Sequence, residues 1–135
     1  MTPTAAARPT GRVAHRALWT VQVLVGVFFI VASAVPKFYG DPYAVEIFTH
    51  IGVGQWFRYL VGALELAGGI GLMVPRLVGP AALGLMGLMI GAAYTQAVVL
   101  DAPVMVTTPA ILFVVLAVIA WGRRESIKSW LPTRD

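Results

Sequence analysis

Three stretches of this chain run the length of a bilayer crossing without a charged side chain: Ala17–Val35, Val78–Leu100 and Val104–Trp121. A hydrocarbon core about 30 Å thick is spanned by roughly 20 apolar residues in a helix, or by about 9–11 in a barrel strand. In lipid the backbone must satisfy its own hydrogen bonds, so runs this long fold as helices. A fourth stretch, Trp56–Val74, is as apolar except for Arg58 and Glu65. Composition agrees: 59% of the 135 residues are hydrophobic, 12% are charged, and the mean hydropathy is +0.82. A soluble domain of this size needs far more polar surface. The expected fold is all-α, an integral membrane four-helix bundle with crossings at 17–35, 56–74, 78–100 and 104–121.

The segments between the crossings are short. Residues 1–16, rich in Ala, Pro, Thr and Arg, read as a disordered or interfacial cytoplasmic tail. The same start also fits a secretory leader. Arg8, Arg12 and Arg16 precede the apolar run, and Ala32-Ser33-Ala34 mimics a cleavage site. The run is longer than an ordinary leader core of about 7–15 residues, which favours a crossing. Pro36, Gly40 and Pro42 break the chain after the first crossing. Tyr43–Ile51 then has the periodicity of a short helix lying in the interface, ringed by Phe38, Tyr39, Tyr43, Trp56 and Tyr59. Pro75-Arg76 and Asp101-Ala102-Pro103 are tight turns, and Pro109 is a candidate kink in the last crossing. Residues 122–135 form a basic tail whose Ile127, Trp130 and Leu131 suit a membrane surface.

Charge sets the orientation. With the N-terminus inside, Arg8, Arg12, Arg16, Arg76, Arg123, Arg124, Lys128 and Arg134 are cytoplasmic, and only Lys37 and Arg58 are outside. That bias predicts N-in and C-in. It also accounts for the net charge of +4 without nucleic acid, because the cations form no run or stripe. The absence of cysteine removes disulfides, thiolate metal sites and thiol catalysis.

Glu65 is the candidate functional residue. A carboxyl at bilayer depth is costly and marks a site by default. It lies roughly 12 Å from the outer end of its helix, where Tyr94, Thr95, Gln96, Ser33 and Lys37 also gather at the outer ends of theirs. Arg58, Gly62, Glu65 and Gly69 share one helix face, which points at other helices. Arg58 is too far along the helix to pair with Glu65 without bending inward, whereas Lys37 is placed to reach down from the first helix. Two roles remain open for Glu65: a packing group that locks the bundle, or a carboxyl that exchanges protons or bonds a ligand. Candidate ligand-binding or proton-exchange residues are Glu65, Lys37, Tyr94, Gln96 and Arg58. Gly62 and Gly69 on the second helix, and Gly84, Gly87 and Gly91 on the third, suit close helix packing. The alternative is a cleft where a flat ligand lies on backbone.

Other chemistry finds no support. His15 and His50 fall on opposite sides of the membrane, so they cannot share a metal or haem. Gly68-Gly69-Ile70-Gly71 lies inside an apolar helix and is not a phosphate loop. Ser33 and His50 lack a third partner for hydrolysis. No catalytic residue, metal site or built-in cofactor is expected.

The run from Phe29 to Gln96 resembles the DoxX-like membrane proteins. The resemblance rests on Ala34-Val35-Pro36-Lys37-Phe38, on Phe48-Thr49-His50-Ile51-Gly52, on Gly62-Ala63-Leu64-Glu65-Leu66-Ala67-Gly68-Gly69 and on Gly91-Ala92-Ala93-Tyr94-Thr95-Gln96. It implies a multi-pass protein of the bacterial inner membrane, with Lys37 and Glu65 at the family's recurring Lys and Glu. Many relatives carry His where this chain has Gln96, and Gln cannot shuttle protons as His does. The family takes its name from a subunit of thiosulfate:quinone oxidoreductase. The implied function is therefore an accessory component of a membrane oxidoreductase system, in contact with quinone or another lipophilic ligand and with partner subunits or further copies of itself. The alternatives are a scaffold or assembly factor in which Glu65 is structural and, less favoured, a small transporter. That last reading lacks broken central helices and an inverted repeat.

Overall fold

The protein is described here by a computed structural model covering residues 9–132. Arg8 and Arg134 of the charge balance, and most of the expected N-terminal tail, lie outside those residues. Everything long in the described chain is helical, and no strand occurs among the described residues. Three helical segments are long and apolar enough to cross a membrane: Gly11–Tyr39, Val78–Val99 and Pro103–Gly122. The helix that carries Glu65 is not one of them. It is 18 residues long, but Gln55, Arg58 and Glu65 lower its hydropathy.

The first segment joins α1 (Pro9–Val27), a widened π turn π1 (Phe28–Ala34) and α2 (Val35–Tyr39). It starts at Pro9, well before the expected Ala17. The early turn is anchored from outside: Arg123 donates to the backbone oxygen of His15 (3.2 Å) and meets its Nδ1 (2.9 Å). Pro36 does not break the helix, contrary to the sequence reading. Proline cannot donate to the preceding turn, and the turn before it is already widened, with Val35 N–H bonded to Ile30 O. The segment is integral to the bundle, since Phe29 and Ala34 are fully buried.

Gly40 ends α2 in the left-handed region (φ 80°). Asp41 then caps α3 (Pro42–Ile51), its side chain accepting from Tyr43 N–H and Ala44 N–H. This cap, with Pro42 in the first turn, is a standard helix start. Ala44 and Phe48 turn inward, and Phe48 meets Phe57 edge-on at 5.8 Å. Helix α4 (Gln55–Leu72) follows, then the turn 73–77, then α5 (Val78–Tyr94), which widens into π2 (Thr95–Val99). A 3-10 turn (Pro103–Val106) leads into α6 (Thr107–Gly122). Pro109 sits in the first turn of α6, where its missing N–H has no helical partner to lose, so the expected kink has no cause there.

The core is a cluster of Val25, Phe29, Leu72, Val78, Ala82, Leu85, Met89, Leu116, Ile119 and Ala120, drawn from π1 and α1, α4, α5 and α6. α5 packs chiefly on α6, and α4 packs between α5 and the first segment. Glycines set the close approaches. A Cβ on Gly26 would lie 2.7 Å from Gly69 O, and one on Gly69 would lie 2.9 Å from Gly26 O, so α1 and α4 touch backbone to backbone. The basic tail is tied to the turn between α4 and α5. Its short helix α7 (Arg124–Lys128) tucks Ile127 against Gly79, and Trp130 donates to Arg76 O at 2.9 Å. Of the tail's apolar side chains, Ile127 is half-buried while Trp130 and Leu131 are exposed.

Candidate functional site

α4 presents Arg58, Gly62, Glu65 and Gly69 on its buried face, the face their spacing predicts. Glu65 is 3% exposed. Opposite it, the widened turn π1 ends at Ser33, and Lys37 follows one turn later on α2. The extra residue in π1 shifts the helix phase, and widened turns of this kind often sit at functional positions. Here Ser33 Oγ–H donates to Glu65 Oε2. Lys37 Nζ lies 2.7 Å from Glu65 Oε1 and also donates to Ser33 O (3.2 Å) and Ser33 Oγ (3.1 Å). Gly62 makes the approach possible, since a Cβ there would be 3.2 Å from Lys37 Cβ.

The charges balance, which is what a low-dielectric site requires. Both carboxylate oxygens have a partner, Oε1 the Lys37 ammonium at 2.7 Å and Oε2 the Ser33 hydroxyl.

Arg58 stands apart from the pair. It is 5% exposed, donates through Nε to Gln55 Oε1 (2.8 Å) and through Nη1 to Lys37 O, and stacks over Tyr59 at 4.4 Å. It fixes the backbone that carries Lys37 and does not touch Glu65. Tyr94 is 61% exposed and does not line the cleft beside the group. Gln96 is half-buried on π2 and lines the space beside it. Ser33 is the member that the candidate set lacks. Its signal was present as the four-residue step from Ser33 to Lys37.

That space is a cleft of about 1100 Å³. Ser33, Lys37 and Glu65 form its polar patch, with Asp41, Thr95, Gln96 and Thr108 as further polar lining. The remaining walls are apolar: Phe28, Ile47, Phe48, Phe57, Leu64, Leu88, Met89, Met105 and Leu112 among them. Gly84, Gly87 and Gly91 of α5 also border it, and a Cβ on any of them would meet nothing within 4 Å. These glycines therefore pack against no helix. A large apolar cleft with a few convergent polar groups is the usual form of a small-molecule site.

A second polar cluster lies at the other end of the bundle. Gln22 is fully buried and ties Leu72 O (2.9 Å) to Arg123 Nε (2.6 Å). Arg123 continues to His15 and lies over Trp19 at 5.7 Å, and burial lowers its pKa from the ordinary value. Each of its contacts is filled, so the cluster works as a tie between α1, α4 and α6. His15 and His50 belong to different ends, and no group of three His, Asp or Glu side chains among the described residues is arranged to hold a metal.

Comparison with known proteins places these features in one family. The family model described as "DoxX-like family" matches residues 20–120, which includes all of π1, α4 and α5. No curated protein and no solved structure matches the chain.

Proposed function

Because this chain belongs to the DoxX-like family of membrane proteins, we propose that it serves a membrane oxidoreductase system as an accessory component that holds quinone, or a similar flat lipophilic molecule, in its cleft. In this reading the helix of Glu65 is a fourth crossing despite its charges, because Arg58 and Glu65 are both buried against the first segment and away from lipid. The bundle is then N-in and C-in, in a bacterial inner membrane, with α3 lying in the outer interface. Of the two cations on the outer side, Lys37 pairs with Glu65 and Arg58 holds the backbone oxygen of Lys37, while Arg12, Arg16, Arg76, Arg123, Arg124 and Lys128 hold the inner side.

One observation carries the reading: the glycines of α5 border empty space beside a buried carboxyl. Glycine inside a helix costs roughly 0.5–1 kcal/mol relative to alanine, and helix packing offsets none of that here. A ligand ring or tail lying on the backbone would use the room. Any electron transfer would come from a partner subunit or from the quinone itself. The experiment is photolabelling of the protein in lipid nanodiscs with an azido-quinone. Competed labels on Gly84–Gly91, Ser33 or Lys37 are the expected result. Labelling that quinone does not compete, or that falls only on the outer lipid-facing surface, removes the reading.

A scaffold role remains as a second reading, favoured by the charge balance of Lys37 and Glu65, which needs no ligand to neutralise it. Glu65→Gln separates the two. A variant that stays folded and assembled yet loses competed labelling excludes a purely structural carboxyl.

A further inference from the structure

The two ends of the bundle differ in charge. His15 of α1 meets Arg123 at the end of α6, so the start and the finish of the described chain lie at one end. That end holds Arg12, Arg16, Arg76, Arg123, Arg124 and Lys128 against a single carboxylate among the described residues, Glu125. Glu125 pairs with Lys128 at 3.5 Å. The opposite end sets Lys37 and Arg58 against Asp41, Glu46 and Asp101.

The arginines of the basic end are not alike. Arg123 is spent inside the protein, on Gln22 and His15. Arg76 and Arg124 are exposed, and each lies on the face of a tryptophan: Arg76 over Trp130 at 5.0 Å, Arg124 over Trp121 at 4.8 Å. The two rings are themselves 50% and 72% exposed. Arg76 holds the tail through its backbone oxygen, which accepts from Ser126 Oγ and Trp130 Nε1 at 2.9 Å, so its guanidinium stays available. Arg124 gives one nitrogen to Trp121 O at 2.9 Å and keeps the rest. Neither forms an ion pair among the described residues. The two stacks flank α7, which Arg124 opens and Trp130 follows by two residues. That short helix is fixed in place by Ile127 against Gly79 and by Ser126 Oγ, which accepts from Gly79 N–H at 3.1 Å.

Tryptophan rings settle at the boundary between acyl chains and headgroups. A guanidinium stacked on such a ring is held at the same depth, where phosphate oxygens are the acceptors that match its planar fork. Membrane orientation asks only for positive charge; it does not ask for a ring beneath two of the arginines, or for those two to lack a carboxylate. A zwitterionic headgroup would bring its own cation against them, whereas an anionic one brings the missing counter-charge.

We propose that the Arg76–Trp130 and Arg124–Trp121 stacks form a binding site for an anionic phospholipid, whose headgroup oxygens accept from the two arginines while its acyl chains lie along the outside of the bundle. The site rests on the membrane location of the chain and not on what the cleft holds, so it stands or falls apart from the quinone reading.

The test is titration of the full chain in detergent with dioleoylphosphatidylglycerol and with dioleoylphosphatidylcholine, bound lipid being counted by native mass spectrometry. The anionic lipid binds about tenfold or more tightly than the zwitterionic one, since each arginine near the surface adds about fivefold. Arg76→Gln/Arg124→Gln, which leaves the backbone oxygen of Arg76 in place, removes that preference. Arg12→Gln/Arg16→Gln takes the same charge from two exposed arginines of α1 that stack on no ring among the described residues, and keeps the preference. Arg76→Lys/Arg124→Lys keeps the charge without the planar fork and lowers the preference; this pair decides the matter should the glutamine pair fail to fold. Equal binding of the two lipids by the wild type overturns the proposal. So does an equal loss in the α1 pair, or full retention in the lysine pair, because general surface charge would then suffice. Displacement of the lipid by glycerophosphoglycerol, the headgroup without its chains, overturns it in favour of a soluble phosphate ligand.

Discussion

Two helices of this protein carry glycines at packing intervals, and they use them in opposite ways. On α4, Gly62, Gly68, Gly69 and Gly71 each lie where a Cβ would come within 2.6–3.2 Å of a neighbouring atom. On α5, Gly84, Gly87 and Gly91 face nothing within 4 Å. The first set brings α1, α2 and α5 close enough for Lys37 and Ser33 to reach Glu65. The second leaves a face of bare backbone beside that same carboxyl. Small residues in a membrane helix thus record closeness in one case and vacancy in the other, and only the neighbours tell which.

The contrast is broken most severely through the charges that the α4 face buries. Lys37→Met removes the cation beside Glu65, which is 3% exposed, and leaves it only the Ser33 hydroxyl. Losing one partner of a buried pair costs roughly 3–5 kcal/mol, whereas replacing both by apolar groups restores much of that. The expected outcome is a sharp fall in the unfolding midpoint in detergent for Lys37→Met, with substantial recovery in Lys37→Met/Glu65→Leu. A double variant no better than the single one would mean that the pair itself holds the fold.

Next is the backbone contact. Gly69→Leu forces side-chain atoms into Gly26 O and Ile30, which already stand at 2.9 Å from an added Cβ. Overpacking costs about 1–3 kcal/mol, occasionally more. The same denaturation assay should show this loss, together with reduced accumulation of folded protein. Gly62→Ala is milder, because its Cβ would press on Lys37 Cβ at 3.2 Å, a few tenths of an ångström too near. A fall of about 1 kcal/mol is expected, the low end of the cost of overpacking. Smallest of all, Gly84→Ala and Gly91→Ala should leave stability unchanged or raise it by about 0.4–1 kcal/mol, the gain from a less flexible unfolded chain. If instead these two destabilise as much as Gly69→Leu, α5 has a helical partner in the membrane and the face is not a ligand groove.

The sequence and the structure agree best where one periodicity and one chemistry act together. Arg58, Gly62, Glu65 and Gly69 share a face because they step by about 3.6 residues, and a carboxyl forces that face inward; both facts are written in the residues. Lys37 was legible as a reachable partner because it ends the neighbouring helix. Ser33 was harder to assign, since a hydroxyl in a helix commonly bonds its own backbone, as Thr20 does to Arg16 O and Thr95 to Gly91 O. The vacancy beside α5 had no sequence signature at all, because Gly-x-x-Gly-x-x-x-Gly reads the same whether a helix or empty space lies across from it. The first turns of α1 are met at His15 by Arg123, more than a hundred residues away, and no local pattern reveals such a contact. The widened turns have no compositional marker either: Phe28–Ala34 and Thr95–Val99 look like any apolar helix.

Those widened turns have a consequence for how the site can be lost. Each residue of an α-helix advances the helix by about 100°, so one surplus residue in π1 acts as an angular offset between Phe28 and everything after it. Removing a single residue from Phe28–Ala32 would let the turn relax to ordinary pitch and would swing Ser33 and Lys37 around the axis, away from Glu65, while hydropathy and length hardly change. Two chains that look alike by composition can therefore differ in whether they have this site at all, and the difference would be recorded as a gap of one position rather than as a change of residue.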